Sequence, residues 1–365
     1  MDAIKKINVK LPKKKGSQYP ILIGKNLLND IDNFSEFSNY SKVAVIYDSN
    51  VKDSYYLDLK SINKNIIGFE FNSNESNKNT DNLIKIWNFL NKNAFDRKSL
   101  VVNLGGGIIG DVGGFAAATY MRGIDFIQIP TTLLSQADAS VGGKTGINLN
   151  GVKNICGAFS QPIKVVVDIT TLETLPSNQI LSGYAEIIKH GLIASDKHFN
   201  KVKLKVPDIS DNESWLEILA ETISIKAGVV EEDEKESGLR KILNFGHTAG
   251  HAFETLSHGD EYKSLLHGEA IALGMLFESR LSALRGFLLN SDLEIIENCL
   301  ERLGYLKKLN LDFKYQDFFE LLKMDKKNKD GDIKWTLLAK IGSAIFDQSV
   351  NLEMVEETFN NMFNK

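Results

Sequence analysis

Short apolar runs alternate with amphipathic stretches through the first half of the chain. KVAVIYD (Lys42–Asp48), NIIGFEF (Asn65–Phe71), SLVVNL (Ser99–Leu104) and KVVVD (Lys164–Asp168) are of strand length and β-rich, and DNLIKIWNFLNK between them places its apolar residues at helical spacing. Buried strands alternating with helices predict a parallel sheet flanked by helices. From Thr171 onward the pattern becomes mostly helical, which puts a boundary near Val167–Pro176. The predicted division is an α/β unit over residues 1–170 and a mostly α-helical unit over 171–365. Three further stretches carry expectations. The alternation in MDAIKKINVKLPKKKGSQYPILIG reads as a β-hairpin, the Asn-rich patch Asn72–Asn82 as a flexible loop, and DKKNKDGDIKWTLLAKIG as a charged hairpin turning at Asp330-Gly331.

Composition narrows the functional classes. The 365 residues carry a formal charge of −4, which argues against nucleic acid or an anionic membrane as partner. Cys156 and Cys299 are far apart and outside metal-ligand spacing, so no disulfide framework or cysteine zinc site is expected, and a reducing cytoplasm fits. The N-terminal stretch lacks the apolar core of a signal peptide, and no run is long and apolar enough to span a bilayer.

Candidate chemistry lies in both halves. SLVVNL runs directly into GGGIIGD and then a small-residue helix, VGGFAAATYM. Gly105, Gly107 and Gly110 match the GxGxxG spacing that lets backbone N–H groups approach a pyrophosphate, although a tight packing turn can look the same. Asp48 ends an earlier strand and could hold ribose hydroxyls or initiate a turn. After IDFIQIP comes a long polar, glycine-rich segment with Lys144, Lys153 and Asn154, expected to be a loop for an anionic ligand. In the second half, GYAEIIKHG sets Glu186 and Lys189 on one helix face, and Lys226 interrupts an apolar stripe. RKILNFGHTAGHAFE reads as one helix, with Arg240 and Asn244 a turn apart and with His247, His251 and Glu254 on a common face. His258 and His267 follow, so four of the six histidines fall within 21 positions, and His247, His251 and His267 among them suggest a metal or acid/base centre.

Taken together, GGGIIGDVGGFAAATYMRG, IPTTLLSQADASVGGKTGIN, KNICGAF, TLP, GYAEIIKHG, LNFGHTAGHAFE and LLHGEAIALGM resemble the 3-dehydroquinate synthase family, in that family's order and over nearly the whole chain. The resemblance implies a Rossmann-like NAD-binding domain, a helical domain, a cleft site between them and a homodimer. It implies a divalent metal, zinc or cobalt, held by Glu186, His247 and His267, with His251 serving proton transfer instead and Glu254 left a structural role. NAD contacts are implied at Asp48, Glu75, Lys78, Gly105, Gly106, Gly107, Asp111, Thr131, Thr132 and Asp138. Substrate contacts are implied at Lys144, Lys153, Asn154, Lys189, Lys226, Arg240 and Asn244, with Arg122 reaching over from a partner subunit and one of Lys326 and Lys327 binding phosphate. The implied reaction converts 3-deoxy-D-arabino-heptulosonate 7-phosphate to 3-dehydroquinate by transient oxidation, phosphate elimination, reduction, ring opening and aldol closure. Ala249 and Ser160 depart from common family residues without touching those roles. The competing readings are another sugar-phosphate cyclase, a metal-dependent polyol dehydrogenase that would release NADH, and an NAD-binding regulator without activity.

Overall fold

The computed structural model describes residues 18–63, 65–258, 264–323 and 333–363. Its strands are β1 (Ile21–Gly24), β2 (Val43–Asp48), β3 (Ile66–Phe71), β4 (Leu100–Gly105), β5 (Asp125–Pro130), β6 (Lys144–Leu149), β7 (Val152–Phe159), β8 (Lys164–Asp168), β9 (Lys334–Lys340) and β10 (Ser343–Ser349). The helices are α1 (Leu57–Ile62), α2 (Thr80–Lys92), α3 (Gly107–Thr119), α4 (Ser177–Ala194), α5 (Asp196–Val202), α6 (Asn212–Glu232), α7 (His247–Leu256), α8 (His267–Leu284), α9 (Asn290–Arg302), α10 (Tyr315–Lys323) and α11 (Leu352–Phe363).

Six strands form one sheet in the order β1-β8-β5-β4-β2-β3, with every neighbouring pair parallel. Both faces are covered, which explains the continuous apolar runs. Val43, Val45 and Tyr47 of β2 join one core while Ala44 and Ile46 join the other. Because β3 and β4 lie on opposite sides of β2, the connections diverge between β2 and β4. The crevice at their carboxyl ends is where this architecture receives ligands.

The helical half centres on α8, which is buried along most of its length and packs against α4 and α7. Two glycines permit that closeness. A Cβ at Gly268 would stand 1.8 Å from the Ser182 carbonyl oxygen, and one at Gly274 would stand 1.9 Å from that of Gly246. Neither position accepts a side chain without parting the helices, so these glycines bring the histidines of α7 and α8 beside Glu186 of α4.

Several expectations are corrected. The segment after β5 is not a long loop: it forms a π-helical turn, Ser135–Ala139, and then the β6–β7 hairpin. Its close strand crossing needs Gly146 and Gly157, whose added Cβ atoms would lie 2.7 and 2.3 Å from facing carbonyl oxygens. The Asn-rich patch is a built turn rather than a flexible loop, since Asn74 and Asn79 side chains accept from the backbone N–H groups of Ser76 and Asn82. The stretch from Arg240 is not one helix. A 3-10 segment (Leu239–Asn244) ends before Gly246, at φ +79, and α7 begins at His247. Most of the N-terminal hairpin expectation and the Asp330-Gly331 turn lie outside the described residues. The described end of the former, β1, pairs in parallel with β8, and β9 pairs with β10 around Gly342.

Candidate active site

Glycine and short polar side chains build the first wall of the cleft. Gly105 ends β4, Gly106 precedes α3 without a side-chain cap, and Gly107 opens that helix. An added Cβ at Gly105 would meet Ile109 at 2.6 Å and Asp48 at 3.2 Å, and one at Gly106 would meet Thr132 at 3.1 Å. The free backbone donors at the start of α3, with no acidic residue in its first turn, suit a phosphate. A small crevice here is lined by Gly105, Gly106, Gly107, Gly110, Pro130 and Ala139. Asp48, buried at the end of β2, accepts from the Asn50 backbone and side chain at 2.9 and 3.0 Å, so it also starts a turn. Glu75, Lys78 and Asp111 come together nearby. Lys78 Nζ contacts Asp111 at 2.5 Å, and Asn148 of β6 donates to Glu75 at 2.8 Å and to the Lys78 carbonyl at 2.8 Å. Thr131 donates its backbone N–H to the Gly105 carbonyl at 3.0 Å, and Thr132 shares a hydroxyl contact with Ser135 at 2.9 Å.

Imidazoles and carboxylates build the opposite wall. Glu186 is 1 % exposed on α4, and its Oε1 lies 3.6 Å from His247 Nε2 and 3.7 Å from His267 Nε2. Lys189 sits against Oε2, yet neither oxygen has a hydrogen-bond partner of ordinary geometry. Burial would raise the Glu186 carboxyl, but Lys189, His247 and His267 hold it below the usual range. Burial and then Lys189 push His247 well down, leaving a neutral imidazole with a lone pair to give. His267 goes the other way despite its burial, pushed up to about 9 by Glu186 and Glu254. A carboxylate short of donors between two imidazoles is the environment a divalent cation satisfies, and the ligand atoms of Glu186, His247 and His267 lie within 4.8 Å of one another. Two other triads meet the same distance condition, His251 with Glu254 and His267, and Asp138 with Glu186 and His190.

The cations cluster beside this centre. Lys226 donates to the Asp138 carbonyl at 2.6 Å and pairs with its Oδ2 at 2.8 Å, while Lys189 lies 3.8 Å from Oδ1. Burial lowers Lys226 to about 8 against the pull of Asp138. Arg240, 1 % exposed, donates to the carbonyls of Glu234 and of Gly142, the latter at 2.9 Å. Lys144 and Asn244 both bind Glu236, Asn244 at 2.7 Å, and Lys153 pairs with Glu254 at 3.0 Å. Asn154 donates its backbone N–H to Asn148 and sits at φ +51. His251 is exposed, its ring 5.3 and 6.1 Å from those of His247 and His267. Arg122 stands apart, exposed at φ +69, and no hydrogen bond or ion pair ties it to this cluster among the described residues. Lys326 and Lys327 lie outside the described residues.

Sequence reasoning passed over three residues and set a fourth, Glu254, aside as structural. Glu254 is more than structural filler, because its Oε2 faces His267 Nδ1 at 3.6 Å. Glu236 was hidden in an acidic run. His190 binds Asp138 from beside Lys189. Glu278, fully buried on α8, accepts from the backbone N–H groups of Gly246, Thr248 and Ala249 at 2.6, 3.1 and 3.2 Å and so anchors the start of α7. A lone acid within the apolar AIALGMLFESRL was the available signal for it.

Comparison with known proteins gives a consistent pattern. Family models described as 3-dehydroquinate synthase N-terminal and 3-dehydroquinate synthase C-terminal match residues 68–182 and 183–328. A 3-dehydroquinate synthase of Parabacteroides distasonis is 41 % identical, covering 94 % of this chain and 97 % of that protein. One from Ruminiclostridium cellulolyticum is 42 % identical, covering 90 % and 92 %. Among solved structures, a 2-deoxy-scyllo-inosose synthase complexed with carbaglucose-6-phosphate, NAD+ and Co2+ aligns with a TM-score of 0.83 at 25 % identity, covering 94 % of this chain and 96 % of that one. A 2-epi-5-epi-valiolone synthase from Streptomyces hygroscopicus with NAD+ and Zn2+ bound aligns at 0.85 and 23 % identity, covering 98 % and 99 %, and supports the fold.

Proposed function

The chain belongs to the 3-dehydroquinate synthase family, and from that premise we propose how its cleft carries the family's reaction. The enzyme converts 3-deoxy-D-arabino-heptulosonate 7-phosphate to 3-dehydroquinate and phosphate in the shikimate pathway, and it depends on NAD and a divalent metal.

Glu186, His247 and His267 would hold the metal, and the Gly105–Gly107 turn with the start of α3 would hold the NAD pyrophosphate. When bound, NAD supplies transient hydride acceptance and the metal supplies Lewis acidity at the substrate hydroxyls. Lys78 and Asp111 would brace the cofactor wall, and Asp48, at the end of β2 beside the switch point, would hold the ribose hydroxyls. Lys144, Lys153, Asn154, Lys189, Lys226, Arg240 and Asn244 would fix the substrate's phosphate and carboxylate. With so many cations on one flexible polyanion, positioning and fixed charge do most of the catalytic labour. His251, exposed beside the triad, would relay the hydroxyl proton. The observation that carries this reading is the buried Glu186, which lacks ordinary hydrogen-bond partners while two imidazoles and a lysine converge on it.

The two-domain division near residue 170 follows the sheet's end at Asp168 and the start of α4 at Ser177. A homodimer, with Arg122 lent to the partner's cleft, fits that residue's exposed, left-handed backbone away from its own cluster. Two free cysteines, one buried and one half-buried, suit a cytoplasmic location. Among the described residues no helix is long and apolar enough to cross a membrane.

The test is to supply metal-loaded protein with heptulosonate phosphate and substoichiometric NAD. Phosphate release beyond the NAD present, without accumulating NADH, is expected. Net NADH would point instead to a polyol dehydrogenase.

A further inference from the structure

Asp138 is the acceptor on which side chains from two helices converge at the junction of the sheet and the helical half. Lys226 of α6 takes its Oδ2 at 2.8 Å, and Lys189 of α4 approaches Oδ1 only to 3.8 Å. Oδ1 is instead taken by His190, the next residue on α4, whose Nε2 lies 3.1 Å away. His190 is 0 % exposed, and its Nδ1 has no hydrogen-bond partner among the described residues.

That asymmetry dictates the tautomer. A hydrogen on Nδ1 would be an orphaned buried donor and would leave a lone pair facing the carboxylate. A hydrogen on Nε2 is donated to Asp138, and only a lone pair stays unmatched. Burial disfavours a second proton, and Lys189 and Lys226 add to that effect against the pull of Asp138. With Oδ1 occupied by a neutral donor, Lys189 keeps Glu186 as its close partner and retains N–H groups for a ligand. The cluster of Lys189, Lys226 and Asp138 also keeps its excess positive charge.

We propose that His190 is a positioning residue: a neutral imidazole that donates from Nε2, clamps Asp138, and through it sets the placement of Lys189 and Lys226 for the anionic groups of the substrate. It rests on the assignment of those lysines to the substrate.

The experiment uses the zinc- and NAD-loaded enzyme. In ¹⁵N-histidine spectra of the unsubstituted protein, His190 is expected to carry hydrogen on Nε2 alone. Hydrogen on Nδ1, or on both nitrogens, overturns the inference independently of any substrate. In kinetics, His190→Phe should raise KM for heptulosonate phosphate about tenfold while kcat changes less than about threefold. His190→Gln, whose amide nitrogen can take the place of Nε2, should restore KM to within about twofold. Equal KM values in the Phe and Gln variants overturn the proposal, and the Gln arm and the spectra decide the matter if the Phe variant does not fold. An unchanged KM in Lys226→Met overturns the pocket assignment and this inference with it, whereas a wrong His190 tautomer overturns this inference alone.

Discussion

Two carboxylates sit within the same cleft and are treated in opposite ways. Asp138 is matched: His190, Lys226 and, more distantly, Lys189 surround it, and it binds the cofactor-side turn to α4 and α6. Glu186 is more deeply buried, yet its oxygens lack ordinary hydrogen bonds, and the imidazoles facing it stand at 3.6 and 3.7 Å. A matched carboxylate organises its neighbours. One with a lysine against a single oxygen and only more distant imidazoles at the other, held ionised at this depth, is an environment that a metal cation would complete.

Substitutions at the two positions should therefore fail differently. Glu186→Gln is expected to cost at least about a hundredfold in zinc affinity and on the order of a thousandfold in kcat/KM, as several kcal/mol of Lewis-acid stabilisation are lost. Metal analysis alongside kinetics checks this, and full zinc content in that variant would break the contrast. His247→Ala should likewise lose the metal, while His251→Ala should keep it and lose turnover. Asp138→Asn should retain zinc but destabilise the fold by about 3 kcal/mol in urea denaturation, because the buried Lys226 ammonium loses its counter-charge while Lys189 keeps Glu186.

Acidity sharpens the comparison further. Lys226 lies at about 8, below its unfolded value, so its charge is present below pH 8 and lost as pH rises through that value. The fall in kcat/KM should approach tenfold per pH unit above that point, and Lys226→Arg should move the limb upward. The same depression makes the folded state bind fewer protons than the unfolded chain between about 8 and 10.5, so this group adds stability as pH rises across that window. An alkaline limb that Lys226→Arg does not move would detach Lys226 from substrate binding. The smallest effect is expected far from the cleft: Lys52→Met removes an exposed pair with Glu70 and should leave activity and thermal midpoint unchanged.

What the sequence made legible follows from distance along the chain. The Gly105–Gly107 turn could be read directly because a strand, its glycines and the following helix are contiguous. Glu186 and His267 are 81 positions apart, and only the family resemblance joined them. The β6–β7 hairpin was misread as a loop because glycines required by close strand contact look like punctuation in a linear reading. The break before α7 was missed because helical spacing from Arg240 to Glu254 continues across Gly246, whose left-handed backbone shows only in three dimensions. His190, Glu236 and Glu278 owe their parts entirely to partners on other elements, or, for Glu236, to residues beyond its own turn.

The most direct measurement is anomalous diffraction at the zinc edge from crystals of the metal-loaded enzyme. The account expects one peak about 2.0–2.2 Å from a Glu186 oxygen and a nitrogen of each of His247 and His267, with Asp138 outside the coordination sphere. A peak coordinated instead by His251 and Glu254, or by Asp138 and His190, would contradict it.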